Sequence, residues 1–321
     1  MTGAITVAIP VRDGGRLLGD VLDAVRAQRL DRPVELLVAD SGSRDGSGEL
    51  ARRHGATVFA VERFSHGGTR NRLMERSHGT HVAFLTQDAV PADEHWLARL
   101  LAGFELADDV GLAYGPYRPR PGAPAAVRRE LDGWFASLAP DGRPRVDRTT
   151  APRGPGAETF FTDANGAVAR RAWERVPFRE VPYAEDQALA LDMLRAGFAK
   201  AYVPDAAVIH SHEYATVAQF RRSFDEWRGL REVHGWVEPA RPVATLLTIQ
   251  SRVRSDVRSL RGSVPPRTVV REGARSVRHW TVRAAGAIAG SRADKLPRAL
   301  RGRLSLEGRD SFEPSTPTPQ P

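Results

Sequence analysis

Two carboxylates stand where an apolar run of this chain ends. In HVAFLTQDAVP, residues 81–91, the run stops at Asp88 and Pro91 is expected to turn the chain; in VELLVADSGSRDGS, residues 34–47, it stops at Asp40. Ser41, Gly42, Ser43 and Gly46 follow Asp40, and such small residues let a ligand approach the backbone. A carboxylate there can accept the imide N–H of uracil or thymine, or a ribose hydroxyl. Plainer duties suit the same residues: Asp88 can open a turn or cap a helix expected over Asp93 to Glu105, and Asp40 can hold its own turn by an Asx hydrogen bond. The chain has no cysteine, so a metal would need Asp, Glu or His, and thiolate zinc sites, Cys nucleophiles and disulfides are excluded.

The elements that must carry these groups alternate. Ile5 to Pro10, Val34 to Asp40, Thr57 to Val61 and Val82 to Thr86 have strand character. Between them Arg16 to Gln28, Glu49 to His54 and Gly68 to Ser77 have helix character, the first with Leu17, Leu18, Val21, Leu22 and Val25 on one face. Repeated strand–helix units imply an α/β fold with a mainly parallel central sheet and helices on both faces, and ligands bind beyond the carboxyl ends of such strands. Glycine spacings for a dinucleotide or P-loop phosphate site are missing, as are H-E-x-x-H and G-x-S-x-G.

Composition narrows the class. The 321 residues are 41% hydrophobic and 27% charged, without an apolar run near the roughly 20 residues that span a bilayer and without a signal-type start, so a cytoplasmic protein is expected. The formal charge of +8 is uneven: Arg241 to Arg309 holds 16 Lys or Arg against 4 Asp or Glu, or +12, which leaves −4 elsewhere.

Five segments in order resemble the inverting glycosyltransferases of family 2: Ile5 to Val11, DSGSRDGS, FSHGGTRN at Phe64 to Asn71, FLTQDAVP at Phe84 to Pro91, and YAEDQALALDMLRAGF at Tyr183 to Phe198. The likeness covers roughly residues 4–228, and FSHGGTRN, LTQDAVP and LPRALRGRLSLEGRDSF at Leu296 to Phe312 are similar to rhamnosyltransferase-like members. The resemblance implies a GT-A type nucleotide-sugar fold. Its D-x-D motif corresponds to Thr86-Gln87-Asp88, so only the last carboxylate is present, and Mg²⁺ or Mn²⁺ would be held by Asp88 with His210 of AYVPDAAVIHSH, His212 being the alternative. Donor contacts are implied for Pro10, Val11, Asp40, Ser41, Arg70, Asn71, Gln87, Asp88 and Arg222. Gly67 and Gly68 would offer backbone N–H groups to an anion. Arg222 of QFRRSF can equally lie on a solvated helix face. The Asp of Glu185-Asp186 would be the general base, with Glu185 orienting or touching the acceptor, although Asp186 could instead only cap its helix. Asp163 and Asn165 of FFTDANGAVARRAW can contact the acceptor or make a turn before a helix begun by Arg170, and the Pro/Gly/Arg-rich stretch from Tyr117 to Gly156 is expected as a binding loop with an apolar insert at Leu131 to Leu138.

The expected organisation is a catalytic domain over 1–238, with a donor half to about 115 and an acceptor half after it, a basic helical region over 239–309 and a disordered tail at 310–321. Helices are expected at Val243 to Leu260 and Val269 to Ile288. In the second, Val270, Ala274, Val277, Thr281, Ala284 and Ile288 form a stripe beside Arg271, Arg275 and Arg278. That pattern suits an anionic membrane surface, and hence a peripheral place at the inner face of the plasma membrane, or equally a packed helical scaffold. The resulting expectation is transfer of rhamnose from dTDP-rhamnose to a glycan or lipid-linked glycan. The alternatives are a UDP-hexose donor, or an inactive GT-A-like basic protein that binds membrane or nucleic acid, the last disfavoured by the scarcity of stacking aromatics.

Overall fold

The computed structural model describes residues 3–149 and 154–307; the expected disordered tail lies outside them. In chain order the elements are β1 (Ile5–Val11), α1 (Gly15–Arg26), β2 (Val34–Asp40), α2 (Ser47–Arg53), β3 (Thr57–Ala60), α3 (His66–Arg76), β4 (His81–Leu85), β5 (Val90–Pro91), α4 (Trp96–Ala102), β6 (Val110–Tyr114), β7 (Tyr117–Arg118), α5 (Ala125–Leu138), β8 (Arg145–Asp147), β9 (Asn165–Ala169), α6 (Arg170–Trp173), α7 (Glu185–Arg195), β10 (Ala199–Tyr202), β11 (Val208–Ile209), α8 (Thr216–His234), α9 (Pro242–Leu260), α10 (Pro266–Gly290) and α11 (Arg298–Leu304).

The chain divides into two compact units, Met1–Arg179 with Asp186–Glu213, and Glu180–Glu185 with Tyr214–Pro321. The first carries an eight-stranded sheet of order β3-β2-β1-β4-β9-β6-β10-β8 and a three-stranded sheet of order β5-β11-β7. In the large sheet β1 pairs in parallel with β2 and β4, β2 with β3, and β6 with β10, while β9 runs antiparallel between β4 and β6. β1 and β4 are apolar along almost their whole length because both faces of the sheet are covered there. α1 buries Leu18, Val21, Leu22 and Val25, but Leu17 points outward at 38% exposure.

Three local expectations are corrected. Pro91 does not turn the chain; it lies in β5, an edge strand, where its missing N–H costs no ladder bond. The stretch from Tyr117 onward is not a plain loop, since it contains β7, α5 and β8, and Phe135 and Leu138 of α5 are buried. β8 is fixed by Lys200 of the neighbouring β10, whose Nζ donates to Asp147 Oδ2 at 2.6 Å and to the Ala157 carbonyl at 3.0 Å; burial pushes this ammonium down to about 8. Finally, the helix expected over Asp93 to Glu105 is only α4 plus a 3₁₀ turn, and Asp93 caps the preceding bend through the His95 N–H.

In the second unit α8 groups with α9, α10 and α11. Close approach of α10 to α8 depends on two glycines: a Cβ on Gly286 would lie 2.6 Å from Ser223 Cβ, and one on Gly290 would strike the Phe224 carbonyl. α9 is joined to α10 by Asp256, which is buried and accepts from Ser276 Oγ at 2.5 Å and Trp280 Nε1 at 2.8 Å. α10 therefore packs through Ser276, Trp280, Ala287 and Gly290, not through the stripe expected from sequence. Val270 and Val277 of that stripe stay 73% and 49% exposed.

Candidate active site

The register of the small sheet assembles the first cluster. β11 runs antiparallel to β5, with Val208 opposite Pro91 and Ile209 opposite Val90, so the residue after β11 comes beside the residues before β5. His210 therefore meets Asp88. β11 also runs parallel to β7, and the His210 N–H donates to the Arg118 carbonyl at 2.9 Å, which brings the β7 exit to the same place.

Asp88, His210 and His212 each present a ligand atom within 4.8 Å of the others, the one such group of three found among the described residues. His210 Nδ1 lies 3.6 Å from Asp88 Oδ1, and His212 Nε2 lies 3.5 Å from Asp88 Oδ2. His210 Nδ1 is buried without a hydrogen-bond partner. Burial, opposed by the nearby Asp88 charge, pushes the His210 imidazole down to about 4, so it is neutral near pH 7 and keeps a lone pair for a cation. One carboxylate and two imidazoles form a donor set for a first-row divalent ion, and ligands on bonds of about 2.1 Å in an octahedron would sit roughly 3 Å apart, slightly closer than here. The residues fit a divalent metal.

Sequence reasoning passed over two neighbours of this cluster. Arg120 donates from Nη2 to the Asp88 carbonyl, stands 3.7 Å from Asp88 Oδ2, and joins Ser211 through Nε and its backbone N–H. Tyr117 packs its ring edge-on to His210 at 4.9 Å. The flanking Pro119 and Pro121, which stiffen the chain around Arg120, were the available signal.

Other expected site residues have found protein partners. Arg70 and Asp163 face each other as a buried ion pair, with Nη2 to Oδ1 at 2.7 Å. Asn165 is fully buried; its Oδ1 accepts from Trp96 Nε1 at 2.8 Å, and its Nδ2 donates to the Pro116 and Ala206 carbonyls. It is a strut beneath the small sheet, and it begins strand β9 instead of a turn; Asp163 does lie in a turn. Asn71 likewise accepts from Trp173 Nε1 and the Phe178 N–H and donates to the Phe178 carbonyl. Gly67 and Gly68 lie inside α3, not before it, and Ser65 already takes the Gly68 N–H.

Beyond the carboxyl ends of β1 and β2 lies a pair of interlocked loops. Gln87 accepts from the Arg12 N–H at 2.8 Å and donates back to its carbonyl, fastening the β1 exit next to Pro10 and Val11. Asp13, Gly14 and Gly15 bond to Ser43, Ser47 and Asp45, and Asp13 accepts from the Arg44 N–H. Asp40 accepts from the Ser43 N–H, three residues on, at 2.9 Å through Oδ1 and so holds its own turn, while Ser41 Oγ is buried without a hydrogen-bond partner.

Asp186 belongs to the first unit, is half-buried at the start of α7, and accepts from the Gln187 N–H at 2.7 Å. Ala184, two residues earlier, holds φ at +63°, a left-handed conformation costly for a residue with a Cβ and of the sort that clusters at functional sites. In the second unit Glu185 is buried, and Arg222 lies over the Tyr183 ring at 4.9 Å with its Nη1 buried and lacking a hydrogen-bond acceptor. Gln219, one turn before Arg222, is bonded to His279 of α10.

The family described as Glycosyl transferase family 2 matches residues 6–174. The O-antigen chain rhamnosyltransferase RfbN of Salmonella typhimurium is 33% identical over 230 residues, covering 69% of this chain and 70% of the relative; WbaN of Salmonella anatum is 26% identical over the same shares. Among solved structures, the mannosyltransferase PcManGT of Pyrobaculum calidifontis, in complex with GDP-Man and Mn²⁺, superposes with a TM-score of 0.61 at 19% identity, covering 92% of this chain and 88% of its own. Glucosyl-3-phosphoglycerate synthase of Mycobacterium tuberculosis, with Mn²⁺, UDP and phosphoglyceric acid, gives 0.52 at 21% identity over 74% and 80%. The fold is thus GT-A-like, and the chain belongs to glycosyl transferase family 2.

Proposed function

We propose that this glycosyltransferase moves rhamnose from dTDP-rhamnose, with inversion, to a hydroxyl of a glycan or lipid-linked glycan. The observation that carries the donor is the 33% identity to an O-antigen chain rhamnosyltransferase across 230 residues, supported by the ligand-ready cluster at Asp88. Asp88, His210 and His212 would hold Mg²⁺ or Mn²⁺, which when bound supplies positive charge to the departing diphosphate.

The protein's own groups do the rest. The loops fastened by Gln87, Asp40 and Ser43 present Pro10, Val11 and Ser41 to the nucleoside. Arg120, beside Asp88, adds cationic hydrogen bonds as negative charge grows on the diphosphate. Asp186 takes the proton of the acceptor hydroxyl while that oxygen bonds to the anomeric carbon and the carbon–oxygen bond to the diphosphate breaks. The acceptor hydroxyl ionises far above neutral pH, so a positioned base is needed. Glu185 helps to orient the acceptor. Asn165, Asn71 and Asp163 support this machinery through their protein partners, and we assign them no direct contact with substrate.

The test is Asp186→Asn. The isosteric amide keeps the shape of the helix start, so donor binding should persist while turnover falls by about 10²–10⁴-fold, the contribution of a general base. Turnover within a few-fold of wild type would remove Asp186 as base.

A further inference from the structure

The second unit has an outward face that its own packing does not use. Ten of the thirteen large hydrophobic side chains exposed among the described residues lie in it, and five of those fall between Trp236 and Leu247. Single exposed apolar residues are ordinary; a run of them is not. Trp236 and Val237 precede α9, and Val243, Leu246 and Leu247 occupy its first two turns at 72%, 66% and 60% exposure. At 100° per residue these three share a face with Gln250, Arg254 and Arg258, opposite Asp256 and Leu260, which are buried. α10 repeats the pattern: Val270, Ala274 and Val277 are exposed beside Arg267, Arg271 and Arg278.

Charge says what covers such a face. The few acids of the segment are already engaged: Asp256 by Ser276 and Trp280, Glu272 by Arg275, and Asp294 by Arg231. Arg254, Arg258, Arg261 and Arg267 have no ion pair among the described residues. An aliphatic tip, a neighbouring Trp and a row of unpaired arginines match the acyl, interfacial and phosphate levels of an anionic bilayer surface. No helix among the described residues is long and apolar enough to cross a membrane, so the mode is attachment from one side.

We propose that the outward face of α9, led by Leu246 and Leu247 and followed by Arg254 and Arg258, docks on an anionic lipid surface. Each nearby Arg is worth about fivefold in partitioning. The packing of α10 through Ser276, Trp280 and Gly290 leaves this face free, so the scaffold role of these helices and the membrane role coexist.

The experiment is co-sedimentation of the full chain with phosphatidylcholine vesicles, with and without phosphatidylglycerol, at low and high salt, alongside the mass of the free protein by light scattering. Binding should require the anionic lipid, and Arg254→Gln with Arg258→Gln should weaken it at least tenfold. Leu246→Glu with Leu247→Glu should abolish it without changing the melting temperature or the mass, since both side chains are solvated. Three results would each overturn the proposal: equal binding to neutral vesicles or to none, binding unaffected by the leucine changes, or a dimer that these changes dissolve. Displacement of the bound protein by single-stranded DNA, with retention of the leucine variants, would assign the arginines to nucleic acid instead.

Discussion

Two carboxylates of the first unit, Asp88 and Asp163, both stand beside basic side chains, yet their surroundings differ in kind. Asp163 is buried against Arg70, whose Nη2 donates to its Oδ1 at 2.7 Å. Asp88 keeps its oxygens 3.5 and 3.6 Å from two imidazoles, one of them with a buried nitrogen that has no hydrogen-bond partner. A carboxylate paired with a guanidinium has a permanent counter-charge and holds the fold; one whose neighbours are neutral imidazoles, themselves donors to a cation, is prepared for a ligand. Sequence motifs cannot separate the two cases, because Arg70 and Asp163 are 93 positions apart and meet only in the folded chain.

The sharpest way to break this comparison is to remove Asp163. Asp163→Ala leaves the Arg70 guanidinium buried without its counter-charge and should destabilise the protein by about 3–5 kcal/mol in chemical denaturation, whereas the volume-matched pair Arg70→Met with Asp163→Leu should recover most of that loss. Mn²⁺ affinity of the folded fraction should not change. Asp88→Asn should do the reverse, lowering Mn²⁺ affinity at least about a hundredfold, or about 2.7 kcal/mol, with little effect on the denaturation midpoint. If both variants behaved alike, the distinction would fail.

Smaller effects refine it. His210→Ala should weaken the metal about tenfold or more, and His212→Ala less, because His210 is buried and held by the Arg118 carbonyl while His212 is exposed. Calorimetry on each variant measures the order. Arg120→Gln should raise the donor KM by a few-fold to about tenfold and leave metal affinity in the absence of donor nearly unchanged, since its guanidinium touches Asp88 mainly through the main-chain carbonyl. Steady-state kinetics over a donor series would show it.

How much of this was legible in the sequence depends on the length of each element. The strands β1, β2 and β4 and the helix α1 announce themselves through runs or periods of apolar residues, and the strand ends placed Asp40 and Asp88, while Asp186 came from the resemblance of its segment to family 2. The small sheet did not, since β5, β7 and β11 are two residues each and too short for any period, although their register is what brings His210 to Asp88. β9 was masked by its composition, because Asn-Gly-Ala-Val-Ala has the residues of a turn and no alternation. Gly166 in it is demanded by close approach, as a Cβ there would meet the Thr162 carbonyl. In α10 the apolar stripe did not mark the face that packs. Small residues made the packing surface there, and small residues leave no hydrophobic stripe to read.

The most direct measurement is calorimetric titration of the protein with dTDP-rhamnose, with UDP-glucose and GDP-mannose as controls, in Mn²⁺, in Mg²⁺ and in EDTA, repeated on Asp88→Asn. The account predicts selective binding of the dTDP compound that needs the metal and is lost in the variant. Equal affinity in EDTA, or an Asp88→Asn protein that binds as well as wild type, would contradict the assignment of Asp88, His210 and His212 as the centre of the site.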